Sequence, residues 1–292
     1  MPACSCPRLS TRSLRIARIL KSKREVKNDG IPADWLIPQW PAPAHVRALC
    51  TTRAGGISAP PYDSFNLGMA VGDAPAAVQS NRARLAAALG APPVFLAQVH
   101  GNQTVELPKT REELQRVDGA WTEQRQTPCT VMVADCLPVL LTDRAGCFVA
   151  ALHAGWRGLA GAGAMQGQGI LERFLKEKVP VARIVHAQEA TDLIAWLGPC
   201  IGPTAFEVGD EVREAFAASA PQAATCFVPH GDGKWLADLA GLARQRLAAL
   251  GVDAVFGNDG TPAWCTVSQP SRFFSHRRDR VSGRFAACIW LD

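Results

Sequence analysis

Residues 151–163 read ALHAGWRGLAGAG: an apolar run delivers His153, then Arg157, with four glycines spaced through the segment. Imidazole is both a proton carrier near neutral pH and a common metal ligand, and the arginine fork matches the geometry of oxyanions. Two other apolar runs end on similar chemistry, residues 94–99 ahead of His100 and residues 131–134 ahead of Asp135 and Cys136. Ligand sites in α/β proteins form beyond strand ends, where loops present side chains without interrupting the ladder. His100, Cys136 and His153 brought together there make a three-ligand zinc site with a fourth position left for water or substrate. Bound water of lowered pKa is then a usable nucleophile. Asp135 is expected to accept the second ring N–H of a ligand histidine and fix its tautomer. The intervals between the three residues match no local zinc signature, so spacing adds nothing to the argument. Taken singly, a histidine after a strand also suits a structural role, and a buried cysteine an inert thiol.

The glycine row is not a dinucleotide fingerprint, because Gln166 stands where the third glycine would fall, and no GK[ST] follows. Successive glycines between a strand and a helix do expose backbone N–H groups, which suits phosphate, with Arg157 as a bidentate partner; tight loop-to-helix packing is the alternative. Residues 50–58, CTTRAGGIS, repeat the theme with Arg53 and lead to Asn66. Residues 273–284 place His276, Arg277, Arg278 and Asp279 just before the final apolar strand, either as an anion clamp or as a solvated face. No activating His or Lys precedes Cys200 in its segment, so it reads as a structural thiol rather than a nucleophile.

These residues need strands and helices to position them. Residues 46–52, 94–99, 131–141, 147–152, 194–197 and 286–291 read as strands. Val78, Arg82, Leu85 and Leu89 share a helix face that Gly90 closes as a left-handed cap. Ile170, Leu171, Phe174 and Leu175 mark a second helix, Val212, Ala215 and Phe216 a third, and residues 236–250 a fourth, while Thr110 with Glu113 predicts a capping box. The order favours one α+β (mixed α/β) domain over residues 31–292.

The chain of 292 residues is 48% hydrophobic and 20% charged, enough to bury a sizeable core. Its net charge of +5 is concentrated in residues 1–30, where eight Lys/Arg meet two acidic residues, leaving a nearly neutral body. That argues against a nucleic-acid partner. The tail reads as a disordered extension or an organelle transit peptide, and lacks the apolar core of a secretory signal. No apolar run approaches a membrane span. Ten cysteines without a CxxC read as free thiols in a reducing, cytoplasmic setting.

The ordered segments TTRAGGIS…SFNLG, QVHG, DGAWT, ADCLPVLL, HAGWRG, GPCIGPTAFEVG and SHRRD…GRFAACIWL resemble the laccase-domain family. This family is also called polyphenol-oxidase-like or purine nucleoside phosphorylase proteins, and has a peptidoglycan-editing branch. The resemblance runs from about Trp35 to Asp292. It implies a single domain of mixed β-sheets flanked by helices, grouped with cysteine-hydrolase-like folds, and one zinc ion on His100, Cys136 and His153. It also implies phosphorolysis of adenosine, inosine and methylthioadenosine, with adenosine deamination alongside. Placed on this chain, Arg53, Asn66, Arg157 and Arg277 are expected to bind phosphate or ribose. Asp135 or His276 is expected to protonate the departing base, with Arg53 and Arg157 as catalytic partners. One rival is a hydrolase using Cys136 with His153 or His100 to cleave an amide in a cell-wall precursor. Another is a copper oxidase of phenols, which needs several copper ions and more histidines than the six present. A third makes zinc structural, with four protein ligands.

Overall fold

The computed structural model describes residues 30–178 and 192–292; the basic tail, apart from Gly30, lies outside the described residues. The central layer is a six-stranded sheet whose middle strands are continuous apolar runs, as expected where both faces are covered. Its order is β12 (Ala254–Gly257), β8 (Leu193–Leu197), β6 (Leu137–Asp143), β7 (Val149–Ala154), β4 (Gly119–Thr122) and β3 (Thr104–Glu106).

Successive side chains leave this sheet in opposite directions and build two cores. Val139, Leu141, Ala150 and Leu152 meet α3 (Ile170–Lys178), α4 (Asp210–Ala217) and α5 (Leu239–Ala249), through Phe174, Phe216 and Leu242 among others. On the reverse face Leu140, Val149, Ala151 and Trp196 meet Val131 and Val133 of β5 (Cys129–Val133), and Ala287 and Ile289 of β13 (Phe285–Leu291). Those two strands are the centre of a four-stranded sheet, ordered β1 (Val46–Cys50), β13, β5, β2 (Val94–Phe95). A small three-stranded sheet has the order β10 (Phe227–Pro229), β11 (Lys234–Ala237), β9 (Glu207–Gly209). The fold is thus a mixed α/β domain of several sheets with helices packed outside, as expected. No helix of the described residues is long and apolar enough to cross a membrane, and Cys50, Cys129, Cys136, Cys200, Cys226, Cys265 and Cys288 are free thiols.

The helix at residues 75–89, α1 (Pro75–Leu89), forms as its spacing predicts, with Pro75 in the first turn and Gly90 closing it at φ 72°. Four readings need correction. The run 131–141 is two strands in different sheets, and the turn at residues 134–136 carries the chain from one to the other. Only Val94 and Phe95 of residues 94–99 pair with β5; beyond them Ala97 turns its amide to Leu114. Leu236 belongs to β11, and the helix starts at Leu239, where Asp238 accepts the amide of Gly241 at 2.8 Å. Thr110 and Glu113 exchange the capping-box bonds, at 3.0 and 3.4 Å, yet the chain only turns and no helix follows.

Candidate active site

The sheet-crossing turn after β5 delivers Cys136, the bend after β2 delivers His100, and β7 itself carries His153 as its penultimate residue. Their ligand atoms all lie within 4.8 Å of one another. None of the three therefore follows a strand end directly: His153 lies within β7, and the other two occupy irregular backbone. His100 has φ 61° and Asp135 φ 101°, left-handed values that a non-glycine residue holds only where surrounding bonds impose them. Those bonds are present. The carboxylate of Asp118 accepts the amides of His100 at 2.8 Å and Gly101 at 2.7 Å. Asp135 accepts the hydroxyl of Thr266 on Oδ1 and the amide of Arg277 on Oδ2, both at 2.6 Å, and the Asp135 carbonyl accepts the amide of Ile201 at 2.9 Å.

The carboxylate behind the histidine is therefore Asp118, not Asp135. Asp118 Oδ1 stands 2.8 Å from Nδ1 of His153, and the Asp118 carbonyl accepts the His153 amide at 2.7 Å. With the His153 side chain 3% exposed and that of Asp118 fully buried, the contact is sealed from water. Nδ1–H donating to Asp118 leaves Nε2 as the free ligand nitrogen, the arrangement that makes a histidine a stronger donor. Sequence reasoning passed over Asp118 as a site residue, although it opens the DGAWT segment and precedes β4, the antiparallel neighbour of β7.

Burial raises the Cys136 thiol, but the charge of His153 and hydrogen bonds from both histidines overcome it, bringing it down to about 6. Burial lowers His153, but the Cys136 charge and the Asp118 hydrogen bond reverse this and carry it up to about 9. Burial likewise raises Asp118, while the hydrogen bond and charge of His153 and the amides of Gly101 and Val99 hold it below its ordinary value. Without a metal the group is thus a thiolate–imidazolium–carboxylate chain.

The donor set fits a metal ion. Ligand atoms of tetrahedral zinc lie about 3.3–3.5 Å apart, within small side-chain rotations of the separations here. The space is kept for them: a Cβ on Gly155 would come 2.9 Å from Cys136 Sγ and 3.0 Å from His100 Cδ2. A Cβ on Gly158, on the short helix α2 (Trp156–Ala160), would strike the Gly101 carbonyl oxygen at 2.4 Å. Beside the ligand His153, HAGWRG thus contributes these two glycines to the cluster.

The cluster opens into a cavity of about 930 Å³ whose lining includes Asp135, Arg157, His276 and Arg277. Arg157 lies over the ring of Trp156, 4.4 Å from its centre. His276 and Arg277 start α6 (His276–Asp279), whose first turn is closed by Ser275 accepting the Arg278 amide. Arg277 also donates through Nη1 to the Glu207 carbonyl at 2.9 Å, tying the cavity to β9. Arg278 is spent on Asp279 and on the carbonyls of Thr266 and Phe273.

Three expectations are not met. Arg53 does not line the cavity; it donates to the Asp63 carbonyl and carboxylate at 2.9 and 3.1 Å and to the Pro270 carbonyl at 2.9 Å, and packs on Phe274. Asn66 is fully buried, bonded to Gly68, Asp73 and Arg284, and holds a loop instead of touching a ligand. The glycines from 161 onward follow α2 rather than precede it, and none lines the cavity. Cys200 is buried beside Asn258, and burial raises its thiol well above the ordinary value, as suits a structural role.

The sequence family described as multi-copper polyphenol oxidoreductase laccase matches residues 47–292. Among similar proteins is the purine nucleoside phosphorylase YfiH of Escherichia coli (strain K12), 48% identical over 258 residues, 88% of this chain and 98% of the relative. The purine nucleoside phosphorylase PA4543 of Pseudomonas aeruginosa is 48% identical over 260 residues, with the same coverage. Among solved structures, Neisseria meningitidis protein NMB0706 matches with a TM-score of 0.77 and 44% identity, covering 89% of this chain and 99% of that one. YlmD from Geobacillus stearothermophilus matches with a TM-score of 0.73 and 30% identity, covering 85% and 92%. The chain belongs to the family of the multi-copper polyphenol oxidoreductase laccase description, and is similar over most of its length to relatives named purine nucleoside phosphorylases.

Proposed function

We propose that the protein is a zinc-dependent purine nucleoside phosphorylase acting on adenosine, inosine and methylthioadenosine, with adenosine deamination as a second activity of the same site. One observation carries the reading: a single cavity of about 930 Å³ joins the His100–Cys136–His153 cluster to Arg157, Arg277 and His276. That volume lies in the usual range for small-molecule sites. A zinc ion on the three donors supplies a fixed positive charge and Lewis-acid polarisation beside the reacting groups.

The chain's own residues do the rest. Arg157 offers a planar fork to phosphate oxygens, and its stacking on Trp156 fixes the direction of approach. Phosphorolysis breaks the N-glycosidic bond as a phosphate oxygen attacks the anomeric carbon, so nucleophile and nucleoside must be held in line. Positioning of this kind supplies about 7–11 kcal/mol. His276 faces the cavity from the first residue of α6 and protonates the departing purine. Asp135 has both carboxylate oxygens engaged, by Thr266 and by the Arg277 amide, so its part is to hold the β5–β6 turn and α6 in register.

The test is base release from inosine by metal-loaded protein with and without phosphate, alongside elemental analysis. Release that requires phosphate, with ribose 1-phosphate formed and near one zinc per chain, supports the reading. Equal release without phosphate refutes it. A parallel assay for inosine formed from adenosine tests the deamination.

A second reading has an observation of its own. Cys136, His153 and Asp118 form a nucleophile–base–carboxylate chain, the geometry of a cysteine hydrolase acting on an amide such as a muramoyl-serine bond. A thiolate bound to metal cannot attack, so amidase activity that survives complete metal removal favours this reading over the first.

A further inference from the structure

Two half-buried arginines on the cavity wall, apart from Arg157 and Arg277, have no ion-pair partner among the described residues. Arg82, on α1, lies over the ring of Phe95 with its guanidinium carbon 3.7 Å from the ring centre. Its Nε donates to the Leu67 carbonyl at 2.9 Å, and Nη2 reaches only the Met132 sulfur at 3.9 Å. Arg284, just before β13, donates through Nη1 to the carbonyls of Ser282 at 2.9 Å and Gly283 at 3.0 Å and to the Ser282 hydroxyl. Among the described residues neither arginine forms an ion pair, whereas Arg47, Arg53, Arg173, Arg246 and Arg278 each do. Carbonyls orient a guanidinium but do not neutralise it, and partly buried charge calls for a counter-ion.

Both residues are tied to one tripeptide, Arg82 through its side chain and Arg284 through its backbone. Leu67 offers its carbonyl to Arg82 and its amide to the Arg284 carbonyl at 3.0 Å, and the Arg284 amide donates to Asn66 Oδ1 at 2.8 Å. Asn66 is locked in turn by Asn81, which donates to its carbonyl at 3.0 Å from the helix that carries Arg82. Two like charges are thus held near one rigid segment, and that segment's Gly68 also lines the cavity. Nη1 of Arg82, and Nε and Nη2 of Arg284, have no acceptor among the described residues. Burial lowers both groups, Arg82 only to about 10, which leaves it charged at neutral pH; at Arg284 the charges of Cys136 and Asp135 oppose that lowering. Arg284 therefore lies within electrostatic reach of the metal cluster.

We propose that Arg82 and Arg284 form a phosphate-binding subsite of the cavity, built on residues 66–68 and distinct from the Arg157 and Arg277 positions. Its occupant is a phosphate group, either inorganic phosphate or the ester phosphate of a nucleoside 5′-monophosphate. Inorganic phosphate as the occupant rests on the phosphorolysis reading; the subsite itself does not.

The test is equilibrium binding by calorimetry on the metal-loaded full chain, which needs no turnover and so stands apart from the activity assay. Inorganic phosphate and inosine 5′-monophosphate are titrated into wild type and into Arg82→Gln/Arg284→Gln. Loss of a charge-assisted bidentate contact weakens binding by about 10- to 100-fold. Weaker inorganic phosphate binding assigns the subsite to inorganic phosphate. Weaker monophosphate binding alone assigns it to a phosphorylated substrate. Unchanged affinity for both overturns the proposal.

Because the double variant can fail to fold, wild-type protein is also treated with phenylglyoxal and the modified arginines mapped by mass spectrometry. Phosphate is expected to protect Arg82 and Arg284. Protection confined to Arg157 and Arg277 overturns the proposal.

Discussion

A single carboxylate oxygen, Oδ1 of Asp118, lies 2.8 Å from both the ring Nδ1 of His153 and the backbone amide of His100. Two of the three metal donors are thus set by one buried side chain. Asp118→Asn keeps an acceptor in place but removes the charge that favours the Nδ1–H tautomer. We expect metal affinity to fall by about 10- to 100-fold with the fold retained. Asp118→Ala leaves the amides of Val99, His100 and Gly101 without their partner, and should cost about 3–5 kcal/mol of stability. Competitive chelator titration and denaturant unfolding separate the two effects. Equal metal affinity in Asp118→Asn and wild type would show that the carboxylate does not tune the ligand.

The thiolate–imidazolium pair sets the protons that metal binding must displace. Between about pH 6, to which Cys136 is lowered, and about pH 9, to which His153 is raised, the sulfur has already lost its proton and the imidazole has not. Binding at pH 7.5 should therefore release about one proton, from His153. Affinity should rise about tenfold per pH unit between pH 7 and 8.5, and flatten above pH 9 as His153 deprotonates by itself. Calorimetry in buffers of different ionisation enthalpy counts the proton. A count of zero or two at pH 7.5 rejects the charge-separated pair.

Gly155 and Gly158 make a contrast inside one hexapeptide. A methyl group at 155 meets the Cys136 sulfur and an edge of the His100 ring, both of which can rotate away. Gly155→Ala should fold, bind metal at least about tenfold more weakly, and lose about 1 kcal/mol of stability. A methyl group at 158 meets the Gly101 carbonyl, which is backbone and has nowhere to go. Gly158→Ala should cost about 2–3 kcal/mol and lower the melting temperature more than the other variant does. The reverse ranking would mean that α2 does not press on the His100–Gly101 bend.

The donor trio was legible because apolar runs lead the chain to His100, Cys136 and His153, although none of the three sits directly beyond a strand end. The helix at residues 75–89 was legible because Val78, Leu85 and Leu89 share one face and Gly90 supplies the left-handed stop. What failed depended on hydrogen bonds between distant residues. Asp135 is next to a ligand in sequence whereas Asp118 lies 18 residues from His100, and only the antiparallel pairing of β4 with β7 brings Asp118 to His153. The break between β5 and β6 was hidden because both strands are apolar on both faces, so no change of periodicity marks the crossing from one sheet to the next. Arg53 and Arg157 each sit near a strand and glycines. Their difference lies in Asp63 and Pro270, which occupy the first and not the second.

That difference gives the last prediction. Arg53 has a side chain 16% exposed and joins residue 63 to residue 270, so it is a brace between loops. Arg53→Ala should cost about 2–3 kcal/mol through lost charge-assisted hydrogen bonds and packing on Phe274. Its KM for phosphate, measured well below the melting transition, should match wild type. Arg157 has no ion pair among the described residues and opens on the cavity. Arg157→Ala should leave the melting temperature within about 2 °C, because surface-like substitutions change stability little, while raising KM for phosphate by about tenfold or more. A raised phosphate KM in Arg53→Ala with unchanged stability would return Arg53 to the site and require the loop at residues 53–66 to close over the cavity when ligand binds.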